Sequence, residues 1–253
     1  MEIKEYLDNL VEKNNIEAFI KDDPVQFPHR YSDIHDIEIV AFLVATIAWG
    51  NRKMILNNAN KMLETMGKSP YDYVMSGGCE KLDDGKCVHR TFFNRDFKYY
   101  CKGLKYLYEI PRNARTDSSL EEVFYNEEHD VWKGIQNFRD LMAEANCTTS
   151  KHISNPCCDS PMKGSACKRL HMALRWLVRN DGIVDLGVWK RLSPKDLMIP
   201  LDVHVARVSR DLGLLERKSN DRMAVELLTE KLREFDKNDP VKYDFALFGV
   251  ELM

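Results

Sequence analysis

Several features are missing from this sequence, and each absence removes a class of protein. No stretch alternates apolar and polar residues long enough to build a β-sheet. There is no Walker-type glycine loop and no dinucleotide-binding G-x-G-x-x-G. No segment repeats at a fixed period. The longest apolar run, IEIVAFLVATIAWG at 37–50, is too short and too interrupted to span a bilayer. An excess of positive charge is lacking as well: 37 Lys and Arg stand against 40 Asp and Glu, a net charge of -3. Any nucleic-acid site must therefore be a local basic surface on a neutral background. The first residues, MEIKEYLDNLVEKNN, carry acids in an amphipathic pattern and do not read as a signal peptide. With no secretory signal, the seven cysteines read as reduced thiols of a cytoplasm, and their odd number argues against a complete disulfide set. A soluble cytoplasmic protein without a membrane segment is expected.

What the sequence does contain is helical periodicity. Candidate helices cover 2–13, 36–48, 52–65, 95–109, 119–126, 130–144, 165–179, 203–212, 221–235 and 240–251. Asp221, and Asp239 followed by Pro240, are plausible helix starts. The fold class is all-α. Two stretches break the pattern: the polar, Gly-bearing 76–90, and the irregular 146–167, NCTTSKHISNPCCDSPMKGSAC. A connection this long inside a domain is usually functional or disordered.

Two segments carry chemistry. In IPLDVHVARVSRDLGLL, 199–215, Asp202 stands directly before the branched apolar residues of a helix that Gly213 ends. The simple account makes Asp202 an N-cap, accepting first-turn amides. In KGSACKRLHMALRWLVR, 163–179, there are five Lys or Arg residues and no acid. Leu170, Ala173, Leu174 and Leu177 form its apolar face, while Arg169, Arg175 and Arg179 face elsewhere and are placed to meet phosphates. Lys168 sits in the first turn, where the helix dipole disfavours a cation. A solvated lysine gains little there; a reactive amine gains from it.

Together, GSACKRLHMALRWLV and IPLDVHVARVSRDLGL resemble the lysine-bearing hairpin and the Asp-led helix of the helix-hairpin-helix DNA glycosylases, endonuclease III and the archaeal 8-oxoguanine glycosylases among them. DIEIVAFLVATIAWGNRKMILNNANKML, 36–63, is similar to their early helix–turn–helix. AVELLTEKLREF and DPVKYDFALFGVEL are similar to their two closing helices. The likeness covers most of 36–66 and 164–253 and leaves the centre unmatched. The AWGNR and PLDVH segments also resemble an uncharacterised bacterial family found mostly in Bacteroidetes. Gly164 matches the first glycine of the family hairpin, but Ala166 stands at the second. The Lys168-to-Asp202 separation is longer than in endonuclease III and closer to the archaeal branch.

The resemblance implies a two-layer helical architecture with a cleft between helical domains. One would be a barrel over 36–180 and the other 1–35 plus 190–253. Lys168 and Asp202 would face each other in the cleft. The implied activity is base excision by a DNA glycosylase, with lyase chemistry through a lysine Schiff base, on an oxidised base such as 8-oxoguanine in double-stranded DNA. The protein would be a monomer working at the nucleoid. A carboxylate stabilises the positive charge that develops on the sugar, and an amine attacks C1′. The base must leave the stack, so something must fill the gap. Asn51 and Arg52, in the turn, are candidates for that wedge. Gly164, Arg169, Arg175 and His204 are candidate DNA contacts, and Trp49 and Trp176 candidate walls of a base pocket. Asp185 reads as a turn cap in NDGIVDLG. Cys147, His152, Cys157, Cys158 and Cys167 share one loop, but their spacing fits no paired C-x-x-C zinc site. No iron–sulfur cluster is expected, because the four-cysteine loop that holds one in endonuclease III has no match here. Neither metal nor cofactor is expected. Two other readings stay open: a nucleic-acid-binding module that keeps the fold without the chemistry, and an interaction protein in which Asp202 is only a cap and Lys168 only a surface charge.

Overall fold

The computed structural model describes residues 2–110 and 119–250. Along the chain these form α1 (Ile3–Asn14), α2 (Glu17–Asp22), α3 (Ile34–Ile47), α4 (Arg52–Met66) and α5 (Pro70–Met75). A hairpin of β1 (Cys87–His89) and β2 (Phe92–Phe93) comes next, followed by α6 (Asn94–Glu109), α7 (Glu121–Phe124) and α8 (Val131–Asn146). The chain closes with α9 (Lys168–Val178), α10 (Val203–Asp211), α11 (Arg222–Arg233) and α12 (Tyr243–Gly249). The chain is thus mostly helical, as its periodicity predicts. Among the described residues no helix is long and apolar enough to cross a membrane.

α3 is the axis of the molecule, buried from Asp36 to Ile47. Asp33 caps it, accepting the His35 and Asp36 amides at 2.9 and 3.3 Å. Such burial should exclude an acid, yet Glu38 lies inside. Its carboxylate accepts the Leu120 amide at 2.9 Å, Tyr108 Oη–H at 2.8 Å, Trp189 Nε1–H at 2.7 Å and the Ser119 hydroxyl. Burial pushes its pKa up against these four donors. One acid thereby ties the centre of α3 to three later segments.

α9 packs along α3, and α6 pairs with α8. The first and last helices also meet: α1 lies on α12, with Tyr243 Oη–H donating to Asp8 at 2.9 Å and Asn14 Nδ2 donating to the Phe245 carbonyl at 3.1 Å. α10 packs on α12 as well.

The structure departs from the sequence reading in four places. α2 and α5 were not expected, each being only six residues long. α5 still begins with a legible signal, Ser69 capping the Asp72 amide at 3.1 Å ahead of Pro70. The polar stretch 76–90 ends in the β1–β2 hairpin, whose turn holds Arg90 at a φ of 53°. The expected helix over 240–251 is a 3-10 turn at Pro240–Lys242 followed by α12, and position 251 lies outside the described residues.

Candidate active site

Asp202 caps α10: its Oδ1 accepts the Val205 amide at 2.9 Å. Its Oδ2 lies 3.8 Å from Lys168 Nζ, at the start of α9. The two side chains come from segments a third of a hundred residues apart and meet half-buried, 27% and 32% exposed. Lys168 Nζ is also 3.5 Å from Met172 Sδ, one helical turn on. Just before Lys168, Cys167 holds a φ of 46°, a left-handed conformation that favours glycine. The demanding backbone position ahead of α9 is therefore 167 rather than Gly164 or Ala166.

The pair opens onto a cavity of about 570 Å³. Trp49 and Trp176 both line it, as do Arg52, Arg169 and His204. Trp176 is fully buried, and its Nε1 has no hydrogen-bond partner among the described residues. Trp49 is half-buried, and its carbonyl accepts His89 Nε2–H from the hairpin at 2.9 Å. Arg169 lies over the Trp49 ring, 5.3 Å from its centre, and donates through Nη1 to the Thr46 carbonyl at 2.7 Å. The turn after α3 is thus held from two sides. Arg52 is exposed, with its guanidinium 5.3 Å from the centre of the Phe248 ring. Asn51, also exposed, caps α4 by accepting the Met54 amide at 3.1 Å. It flanks the cavity without forming its wall. His204 Nδ1 lies 3.4 Å from Arg207 Nη2, and its Nε2 has no hydrogen-bond partner among the described residues.

Two expected DNA contacts are corrected. Arg175 is 3% exposed and cannot reach a phosphate. Its guanidinium pairs with Asp185, 3.2 Å from Nε, and with Asp244. Arg179, read with it, is buried among Asp181, Asp185 and Asp239. Asp185 is accordingly no turn cap but the shared anion of two arginines. Both arginines stay buried because this acid lattice neutralises them there. Gly164 is the second correction. Its amide, the one backbone group that could donate to a phosphate, is spent on the Pro161 carbonyl at 3.2 Å, and its carbonyl accepts the Arg222 amide at 3.0 Å. A Cβ at 164 would also run into the Pro156 carbonyl oxygen. This glycine allows the loop before α9 to close against the start of α11.

The structure adds residues that the sequence reading missed. Asp244 lines the cavity, and burial pushes its carboxyl up to about 6, against the pull of Arg175 and Lys168 and assisted by Asp202 and Asp185. Asp23 also lines it, and desolvation raises its pKa. Phe19 comes from the unexpected α2, and Phe245 and Phe248 from α12. In DFALF, an acid and an aromatic four positions apart carry a faint sequence signal for Asp244 and Phe248. Among the described residues no group of three or more His, Cys, Asp or Glu side chains is placed to hold a metal ion. Of the loop residues weighed for zinc, Cys167 is buried, and His152 packs between the Trp49 and Phe92 rings.

No curated protein and no solved structure matches this chain. One family model does, over residues 23–253, which leaves α1 and α2 outside the match. The chain belongs to that family, DUF2400, described as a protein of unknown function.

Proposed function

We propose that this protein is a DNA glycosylase that removes a damaged base from duplex DNA, with Lys168 as the attacking amine and Asp202 as the stabilising carboxylate. The observation that carries the reading is the 3.8 Å approach of Lys168 Nζ to Asp202 Oδ2 at the wall of an aromatic cavity of about 570 Å³. A cavity of that size accepts a flat heterocycle, and rings such as Trp49 and Phe248 offer faces to stack on. The target nucleotide would be extruded from the duplex into it, past the Arg52 rim. The neutral amine adds to C1′ while the C1′–N bond breaks with its electron pair leaving on the base. The Asp202 carboxylate stabilises the positive charge that the sugar passes through. The nitrogen then gives one proton to the departed base; as its lone pair forms C1′=N the C1′–O4′ bond breaks, O4′ takes the second proton, and the resulting Schiff base is the starting point for strand cleavage. An oxidised purine such as 8-oxoguanine is the substrate suggested by the sequence resemblance. The two-domain cleft architecture of that superfamily belongs to the same proposal.

Borohydride trapping tests it. Duplexes carrying 8-oxoguanine, oxidised pyrimidines, uracil or an abasic site are incubated with wild type and Lys168→Gln. The expected result is a covalent protein–DNA adduct in wild type that disappears in the variant. A trapped adduct that survives Lys168→Gln, or the absence of both trapping and base release on every duplex, rejects the lysine mechanism.

One observation favours a second reading. The hairpin backbone at Gly164 is spent on internal hydrogen bonds rather than presented to solvent. An interaction protein, in which Asp202 is only a cap and Lys168 only a surface charge, fits that feature. It predicts no salt-sensitive duplex binding, in wild type or in Lys168→Gln.

A further inference from the structure

Beside the main cavity lies a smaller hollow of about 380 Å³, walled by Trp49, Thr91, Lys151, His152 and Arg169. Trp49 and Arg169 belong to both hollows and form the partition between them. The wall is assembled from four parts of the chain: the turn after α3, the β1–β2 turn, the loop after α8, and α9.

Its chemistry is one-sided. Lys151 and Arg169 are cations, Thr91 brings a hydroxyl, and His152 is a buried imidazole. No carboxylate is part of the wall. Asp96 lies 3.6 Å from His152 Nε2 without being part of the wall, and it is engaged by the Phe93 amide at 2.8 Å. Arg169 is held in place by Thr46 and by the Trp49 face, so its guanidinium is already ordered before any ligand arrives. Lys151, by contrast, is exposed and makes no ion pair or hydrogen bond among the described residues. An unclaimed lysine and a fixed arginine facing a space free of carboxylates make a site for an anion.

We infer that this hollow is a phosphate subsite, taking a phosphodiester of the strand whose extruded base fills the neighbouring cavity. The inference rests on the nucleic-acid reading above and extends it. The shared Trp49–Arg169 partition sets the relation: a ring for the base on one side, a charge for the backbone on the other. Lys151 and Thr91 supply the adaptable donors, and Arg169 the fixed one. Phosphate contacts of this kind position a strand without reading its sequence.

Two arms on the full-length protein test it, comparing wild type with Lys151→Gln and with Lys237→Gln, which removes an exposed lysine elsewhere. In the first arm inorganic phosphate is titrated while tryptophan fluorescence is followed. Trp49 is the one tryptophan of the four that is not buried, so it reports on this wall. A saturable change in wild type and Lys237→Gln that is lost in Lys151→Gln is expected. No response in wild type, or an unchanged one in Lys151→Gln, overturns the site. In the second arm a duplex bearing a tetrahydrofuran abasic analogue is bound across a salt series. Removal of one phosphate contact should lower the slope of log affinity against log salt by about 0.9. One neutral methylphosphonate position in the strand should weaken wild type and have no effect on Lys151→Gln. Duplex binding that is indifferent to Lys151 overturns the subsite and leaves the glycosylase reading standing. Phosphate binding without any duplex binding overturns the strand as the source and the nucleic-acid reading with it.

Discussion

Asp202 has two oxygens and uses them differently, one to finish a helix and one to face an amine. The two roles separate under substitution. Asp202→Asn keeps a good N-cap and should unfold close to wild type while losing base release. Asp202→Ala loses the cap as well, and denaturant titration should show a destabilisation of about 0.5–2 kcal/mol. An Asp202→Asn protein that excises bases at the wild-type rate removes the carboxylate from the mechanism. Asp244 differs from Asp202 in kind. It is held by a buried arginine, and its proton affinity is set by burial first and by the surrounding charges second.

At the scale of the element, α9 does the most varied work. Its N-terminal turn presents Lys168, its body buries His171, and its last turn carries Arg175, with Arg179 just beyond its end, into the acid lattice. His171 is edge-on to Trp132, 4.5 Å between ring centres, and neither ring nitrogen has a hydrogen-bond partner among the described residues. Burial, aided by the charge of Arg222, lowers its pKa from 6.5 to about 3. The unfolded chain therefore takes up a proton below 6.5 that the folded site refuses, so stability is retained above 6.5 and falls as pH drops toward 3. His171→Phe removes that linkage. Its stability relative to wild type should improve by about 1.4 kcal/mol per pH unit below that point, measured by denaturant unfolding at a series of pH values. A pH-independent difference between the two proteins rejects the assignment.

The same helix explains how much could be read in advance. Its apolar stripe was legible because hydrophobic periodicity is local, and so was the Asp202 cap, whose partner lies three residues away. Arg175 was misread because its neutralising acids are 10 and 69 positions distant, beyond anything periodicity can see. Gly164 was misread for a related reason: its need for space comes from Pro156 and Arg222, not from its own backbone angle. The Lys168–Asp202 pairing was anticipated through resemblance rather than spacing. The remaining cavity wall, Phe19 and Phe248 above all, comes from elements at opposite ends of the chain and carries only weak local signals.

For the molecule as a whole, the meeting of those ends matters. α1 lies outside the family match, yet it packs on α12, which supplies Asp244, Phe245 and Phe248 to the cavity. Deleting residues 1–15 should therefore lower the thermal midpoint and reduce base release together, without removing any residue that lines the cavity. Calorimetry and a single-turnover excision assay on the truncated chain would measure both. Full activity at an unchanged midpoint would show that α12 keeps its place unaided.

The cavity has a floor and a rim of different character. Its floor rests on Arg175, Asp244 and Asp185, charges so mutually dependent that no one of them can be exchanged alone without stranding another. Its rim is Arg52, Phe248 and His204, half-exposed or exposed side chains with few obligations to the rest of the fold. Variation is therefore cheap at the mouth and expensive at the base. Relatives that come to accept a different guest should differ from this chain around the opening, and anyone retargeting the pocket should begin there.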